Sequence, residues 1–539
     1  MNLDKNQIDA VKSDEKRVLV IAAPGSGKTS VLLGRSLYLI SRGVSPSNIM
    51  LLTFTKSAAY NMEKRIEIED IKSLPYIGTF HSFLYSVLRR KGKINIISEE
   101  EKDKIIKDIL KEFQDDINQV KIREIKNEIS KYKRNNNYNS DMEYNTFIYI
   151  YEKYIYYLNK NSVIDFDDLE IEGIKEISGN KCLLKNLKDK YKYILVDEFQ
   201  DVDDLEIKFL KLIGDAASLF FVGDEDQCIF SFRGSNPVYT YNFKNEFIGG
   251  KVYYLNNNYR SKSNIVTASE KLIKNNIKRS NKEINVVKHG GKISVIKVNN
   301  QIKEAEKVIS IIKESKGSTG ILYRNKKDAE LLSFYLLNNN IFFNFYDDPL
   351  KDIKDDINSY ILLSKNRFSK GIFKNIVNKP NRYISRLCLI KLDRIYLNKD
   401  VFNTLYSVPG LSIGEYRSLK IFERKLNRLK YIKNDKKVLY IIKKLGYGEY
   451  LEKKLGTKDF SNLINNLNRN EETSLTLSTI HKAKGTEYEN IIILNCTEGN
   501  IPYFKNNDIE EERRIFYVAL TRGISNVYFI TREEESPFI

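Results

Sequence analysis

The stretch Ala22–Thr29, AAPGSGKT, follows the apolar run Val18–Ile21 and precedes the helix-forming text VLLGRSLYLI. A short buried strand that breaks into a Gly-rich turn and then a helix leaves unpaired backbone N–H groups around one concavity, where an anion can sit. Gly25 and Gly27 let the backbone approach phosphate oxygens, Lys28 can reach the β and γ phosphates, and the Thr29 hydroxyl can hold Mg²⁺. Ala22 stands where the phosphate-loop pattern wants Gly; it is small enough to permit the turn. The expectation is an α/β fold in which Ala23, Pro24, Gly25, Ser26, Gly27, Lys28, Thr29 and Ser30 cradle a nucleotide.

A phosphate cradle that hydrolyses its ligand needs one carboxylate on the metal and a second group to orient or deprotonate water. YKYILVDEFQD, Tyr191–Asp201, supplies both: a buried strand delivers Asp197 and Glu198 at its tip. Other strands end in polar and aromatic text, where open α/β sheets bind ligands. One is IMLLTFTK, carrying Thr53, Phe54 and Lys56; another is YIGTFHSF, carrying Thr79 and His81. A third, LFFVGDEDQCIFSFRG, places Gln227 within reach of a γ-phosphate and Phe230, Phe232 and Arg233 as a base-stacking platform beside a cation. LNNNYRS adds Tyr259 and Arg260, a ring and a guanidinium that could face adenine and phosphate. Upstream, Gln7 can offer a donor and an acceptor to a base edge.

With 539 residues the chain should form several domains. A formal net charge of +18 points to a polyanionic partner, nucleic acid first. The excess is concentrated: residues 365–454 hold 23 Lys and Arg against 7 Asp and Glu. Cys182, Cys228, Cys388 and Cys496 are far apart, which indicates neither a disulfide framework nor a zinc site. There is no signal-peptide pattern and no apolar run of membrane-spanning length, so a reducing cytoplasmic location without membrane attachment is expected. From about residue 91 to 161 the text turns charged, Asn-rich and Tyr-rich without strand–turn–helix alternation, which reads as an inserted helical domain.

Taken in order, these motifs resemble superfamily 1A DNA helicases of the UvrD/Rep/PcrA group. Gln7 matches the Q motif, AAPGSGKT the Walker A, VDEFQD the Walker B, VGDEDQCIFSFRG motif III and NNYRS motif IV. TFTKSAA and GTFHSF match the first DNA-contacting motifs; TLSTIHKAKGTEYENIIIL looks like motif V and EEERRIFYVALTRG like motif VI. The resemblance implies two RecA-like P-loop domains with parallel sheets, each carrying a mainly helical insertion. Mapped here, the first core is 1–90 plus 162–260 with 91–161 inserted, and the second is 261–364 plus 470–539 with the basic segment 365–469 inserted.

Carried over, Lys28 and Thr29 hold phosphate and Mg²⁺, Asp197 is the Mg²⁺ partner, Glu198 the water-activating base, and Gln227 the γ-phosphate sensor. Tyr259 stacks on adenine, Glu487 contacts ribose, and Arg260 and Arg522 are arginine fingers supplied from the side of the second domain. Thr53, Phe54, Lys56, Thr79, His81, Phe230, Phe232, Arg233, Thr479, His481 and Lys482 touch single-stranded DNA. The implied activity is 3′→5′ ATP-driven translocation on single strands and at junctions with duplex.

Three departures stand out: Ser30 where many relatives have Arg, Phe232 where Trp is usual, and Thr486 where motif V commonly has Leu. Val408–Leu419 hints at a duplex-binding hairpin, and because the sequence stops soon after motif VI no nuclease domain of the RecB type is expected. A reading of another class is a DNA-sensing ATPase subunit that acts beside a separate nuclease or other protein, as in the Gabija antiviral system.

Overall fold

Arg17–Ala22, RVLVIA, is apolar almost throughout, as a strand covered on both faces must be. In the computed structural model it lies inside a six-stranded parallel sheet with the order Tyr76–Thr79, Ile49–Thr53, Tyr193–Val196, Ser218–Gly223, Arg17–Ala22, Lys251–Leu255. The structure describes residues 3–539 except 68–72, 111, 113–118, 139, 141, 281, 366–368, 396–399, 457–459, 461–472, 505 and 507; the side chains of 119–121, 232, 393 and 394 also lie outside the described residues. Parallel pairing sends every strand's carboxyl end to the same edge. Ile21 is level with Gly223, and Val196 with Leu52 and Phe221, so the loops after these strands share that edge.

By packing, the chain divides into two units, Met1–His289 and Gly290–Ile539. The expected boundary at 260/261 falls inside the first of these units. Residues 261–289 pack on the first unit because Asn285–Lys288 pairs in parallel with Asn257–Lys262 and the Ser263–Ile273 helix buries Ile265, Val266, Leu272 and Ile273. Two cations from this segment, Arg279 and Lys282, reach back to Asp224, Glu225 and Asp226.

Within the first unit, a short parallel pair, Asn95–Ile96 with Val163–Ile164, brackets three helices, Glu99–Leu110, Gln119–Asn135 and Tyr144–Lys160. Apolar residues at helical spacing (Ile105, Ile106 and Ile109; Ile122, Ile125 and Ile129; Phe147, Ile150, Tyr154 and Leu158) give this insertion its own core. Buried charge fixes it to the sheet domain. Lys102 contacts Asp165 at 3.0 Å and Asp167 at 3.3 Å, and Lys133 contacts Asp165 at 3.0 Å and Asp168 at 2.8 Å. Arg134 contacts Asp167 at 2.9 Å, Glu170 at 2.7 Å, and Asp203 as well. Such clusters contribute little net stability, yet losing one partner is costly because the other charge is left buried.

The second unit repeats the plan. Its six-stranded parallel sheet runs Lys292–Lys297, Gly523–Thr531, Tyr488–Ile493, Thr319–Tyr323, Leu475–Thr479, Asn344–Phe345. Helices from Lys351–Lys365 to Tyr447–Leu455 form the basic insertion, with a core that includes Tyr360, Phe373, Phe402, Phe422 and Tyr447. Val408–Leu419 is not a β-hairpin. It is a loop running into the helix Ile413–Leu429, which Ser412 and Glu415 start with a reciprocal capping box. Both units thus have the α/β, parallel-sheet, RecA-like character that the motifs imply. Among the described residues no helix is long and apolar enough to cross a membrane, and all four cysteines are free thiols.

Candidate functional site

The loop after Arg17–Ala22 closes on itself before the helix Lys28–Ser41 begins. Ser26 donates its Oγ–H to Ala23 O at 2.7 Å, and Gly25 and Gly27 take left-handed φ values of +71° and +83°. Any side chain would be excluded at either glycine: a Cβ on Gly25 would sit 2.5 Å from Arg260 Cβ, and one on Gly27 would sit 2.7 Å from Gln7 Nε2. Neighbouring side chains hold the loop from outside. Gln7 Nε2 donates to Ser26 O at 2.8 Å and Asn258 Nδ2 donates to Pro24 O at 2.8 Å, while the Tyr259 N–H donates to Gly25 O at 3.0 Å.

Gln7 was expected to face a base edge. Its carboxamide instead braces the loop, with Oε1 accepting from the Asp4 N–H at 2.9 Å as its Nε2 bonds Ser26 O. Asp4 in turn accepts from Tyr259 Oη at 2.5 Å and Asn257 Nδ2 at 3.1 Å. Tyr259, 38% exposed, is thereby tethered at the rim of the cradle. Arg260 corrects an expectation. It belongs to the first unit, next to Gly25, and does not come from the second, because the segment after it packs on the first sheet.

Lys28 begins its helix, with Thr29 and Ser30 in the same first turn. Its Nζ is buried without a hydrogen-bond partner, and the facing carboxylate, Glu198 Oε2, is 3.8 Å away. A desolvated ammonium in a loop of backbone N–H groups that no Cβ can enter fits a phosphate group. Asp197 follows the strand Tyr193–Val196, its N–H donating to Leu52 O at 2.8 Å, and is 6% exposed. Glu198 is a non-glycine residue in the left-handed region (φ +51°), a conformation that neighbours must enforce.

Behind Glu198, Gln200 Nε2 donates to Glu198 Oε2 at 2.5 Å, and Gln200 Oε1 accepts the Asp224 N–H at 2.7 Å. Gln227 Nε2 donates to Asp224 Oδ2 at 2.6 Å. Burial alone would raise the Asp224 carboxyl; Lys282, and then Lys28, pull it below the usual carboxylate range. The oxygens of Asp224, Glu225 and Asp226 lie close enough together to share a cation, and Lys282 occupies that position.

Further along the edge, Phe54 and Phe230 stack on each other with centroids 5.1 Å apart, and the Arg233 guanidinium lies 5.6 Å from each ring. The structure thus brings together three of the expected DNA contacts. The Phe232 side chain is outside the described residues. Lys56 is exposed at the start of the helix Lys56–Glu67. Thr53 is buried and its Oγ1 has no hydrogen-bond partner. Thr79 caps the helix Phe80–Leu88, its Oγ1 accepting from the Ser82 N–H at 3.1 Å. His81 Nε2 lies 3.1 Å from Glu170 Oε1, and burial lowers its pKa below the ordinary 6.5.

In the second unit, Thr479 ends its strand and Lys482 pairs with Asp347 at 2.7 Å; His481 is half-buried between them in sequence. Glu487 is exposed after the Gly485 turn. Arg522, 2% exposed, donates to Val518 O at 3.0 Å, Thr486 O at 3.3 Å and Thr521 Oγ1 at 3.1 Å. Arg514 is also buried, and its Nε and Nη1 lack acceptors.

Asp4, Asn258 and Lys282 were not expected at the site from the sequence, and Gln200 was noted after the acid pair without a role of its own. Asp4 with Gln7 three residues on is a capping-box signature that could have been found. Asn258 sits in a run of three asparagines with nothing local to single it out.

Two family models match the chain: the UvrD/REP helicase N-terminal domain over residues 3–248, and the UvrD-like helicase C-terminal domain over residues 253–408 and 413–534. Among similar proteins, the ATP-dependent DNA helicase Rep of Buchnera aphidicola (subsp. Acyrthosiphon pisum) is 28% identical over 98% of this chain and 94% of its own length. The ATP-dependent DNA helicase PcrA of Staphylococcus epidermidis is 28% identical over 98% of this chain and 83% of its own. The putative ATP-dependent DNA helicase YjcD of Bacillus subtilis is 27% identical over 98% and 78%.

Proposed function

The chain belongs to the UvrD/REP helicase family, and on that premise we propose that it is an ATP-dependent DNA helicase, moving 3′→5′ on single-stranded DNA and opening junctions with duplex. The observation that carries this reading is the desolvated Lys28 ammonium inside the Gly25–Gly27 loop, on the same sheet edge as Asp197, Glu198 and the Phe54–Phe230–Arg233 cluster.

In this reading the Lys28 ammonium and the loop N–H groups neutralise the terminal phosphates of ATP, and Glu198 takes the proton of the attacking water. Gln227 senses the γ-phosphate, and Tyr259 stacks on adenine. Arg260 adds a cation from beside the loop; Arg522 and Glu487 contribute from the second unit. Thr29 and Asp197 would hold Mg²⁺, which when bound supplies Lewis-acid polarisation of a phosphoryl oxygen. The four-part division into two cores and two insertions, with ATP-driven approach and separation of the cores moving the strand, belongs to the same proposal. Phe54, Phe230, Phe232 and Arg233, with Thr53, Lys56, Thr79, His81, Thr479, His481 and Lys482, would contact the strand, each base stack contributing about 1–3 kcal/mol.

Nothing among the described residues favours the alternative of a sensing subunit beside a separate nuclease. Single-turnover unwinding of 3′-tailed, 5′-tailed and blunt duplexes tests the proposal. Opening confined to the 3′-tailed substrate is expected; no opening, or a 5′ preference, contradicts it.

A further inference from the structure

Gln200 is completely buried, two residues beyond the acid Glu198, and spans the tips of two neighbouring strands. Its Nε2 donates to Glu198 Oε2 at 2.5 Å, on one side; its Oε1 accepts the Asp224 N–H at 2.7 Å, on the other. Room for it is made at Gly223, where a Cβ would sit 2.8 Å from Gln200 Oε1 and 3.2 Å from Gln200 N. Asp224 is itself fixed, with Lys282 on Oδ1 and Gln227 Nε2 on Oδ2 at 2.6 Å. One carboxamide therefore touches the acid that faces Lys28 and, through Asp224, the side chain expected to sense the γ-phosphate.

We propose that Gln200 is a positioning residue for hydrolysis: it fixes the Glu198 carboxylate and, through Asp224, aligns Gln227. This rests on the functional reading above. The physical requirement is specific. The Glu198 side chain has several rotatable bonds and lies 3.8 Å from Lys28, so a buried donor on its Oε2 restricts where the carboxylate can sit. The same side chain must also present an acceptor to the Asp224 N–H, and a carboxamide carries a donor and an acceptor on one carbon. Glutamate retains the acceptor and, ionised, loses the donor; methionine retains the length and loses both.

The test is steady-state ATP hydrolysis by the full chain at saturating single-stranded DNA, with kcat and KM measured for Gln200→Met and Gln200→Glu, each alone and combined with Glu198→Gln. The expected result is a kcat lowered about 10- to 100-fold by either single change, with KM for ATP within about twofold of the parent. In the Glu198→Gln background the further loss should shrink to less than about twofold, because the group being positioned is gone. An unchanged kcat, an equal fold-loss in both backgrounds, or a KM that rises in proportion assigns Gln200 a role in folding or ATP binding and overturns the inference. If Gln200→Met gives little folded protein, Gln200→Glu carries the same comparison. A parent protein without DNA-stimulated hydrolysis contradicts the functional reading and this inference together; an active parent indifferent to Gln200 contradicts this inference alone.

Discussion

The Lys28 ammonium faces the Glu198 carboxylate at 3.8 Å, too far for a hydrogen bond, and among the described residues no acceptor bonds its nitrogen. A buried cation held next to, but not against, its counter-charge is poised to accept a second anion between the loop N–H groups. Lys28→Met should lower ATP hydrolysis by about 10²- to 10³-fold, the scale for losing one charge-stabilising donor. The thermal midpoint should change only slightly, because no hydrogen bond is lost and Lys282 still neutralises Asp224. Phosphate-release kinetics and a thermal melt check both; a large drop in the midpoint would mean that Lys28 is structural.

Gly25→Ala adds a methyl that meets Arg260 Cβ at 2.5 Å on a backbone of φ +71°, and Arg260 Cβ is too close to its own main chain to yield. A destabilisation of about 1–3 kcal/mol with loss of ATP binding is expected. Gly43→Ala is the control: it has a similar φ of +89° and nothing within 4 Å. It should show the backbone cost without the loss of ATP affinity, as measured by melting and nucleotide titration.

Arg233 and His81 should separate in the salt dependence of DNA binding. Arg233 is an exposed cation beside two stacked rings, and Arg233→Ala should reduce the slope of log affinity against log salt by about 1. Burial keeps the His81 imidazole below its ordinary 6.5, hence neutral at pH 7, so His81→Gln should leave the slope unchanged there. Fluorescence-anisotropy titrations at several salt concentrations decide it.

The charge cluster under the first insertion predicts an acid limit. Burial alone would raise the Asp165 carboxyl, but Lys102 and Lys133 hold it well below its ordinary 3.8. A carboxylate depressed in the folded state contributes stability that is fully present above its unfolded pKa and is lost as the pH falls below about 4. Asp165→Asn should flatten the stability profile below that pH. Asp165→Ala, which takes one of two carboxylates from each of two buried lysines while Asp167 and Asp168 remain, should cost about 1–3 kcal/mol at neutral pH by urea denaturation.

How far the molecule could be read in advance depended on how local the determining physics was. The phosphate loop was legible because its glycines, lysine and flanking strand lie within a dozen residues. The acid pair Asp197–Glu198 was legible because a buried strand announces its own tip. The unit to which residues 261–289 belong was not, since no Pro/Gly linker marks the boundary; buried ion pairs from Arg279 and Lys282 to residues about 55 positions earlier decide it. Gln200 was visible beside the acid pair, but its contacts were not, for a related reason. Its two partners lie two and 24 residues away, and only the parallel register of their strands brings them to either end of one carboxamide.

The most direct test of the account is phosphate release by the full chain with and without single-stranded DNA, for the parent and for Glu198→Gln. The account predicts stimulation by DNA of at least about tenfold in the parent, and a Glu198→Gln protein that still binds ATP yet hydrolyses it at least about 10²-fold more slowly. A parent whose hydrolysis ignores DNA, or a Glu198→Gln variant that keeps the parental rate, would contradict it.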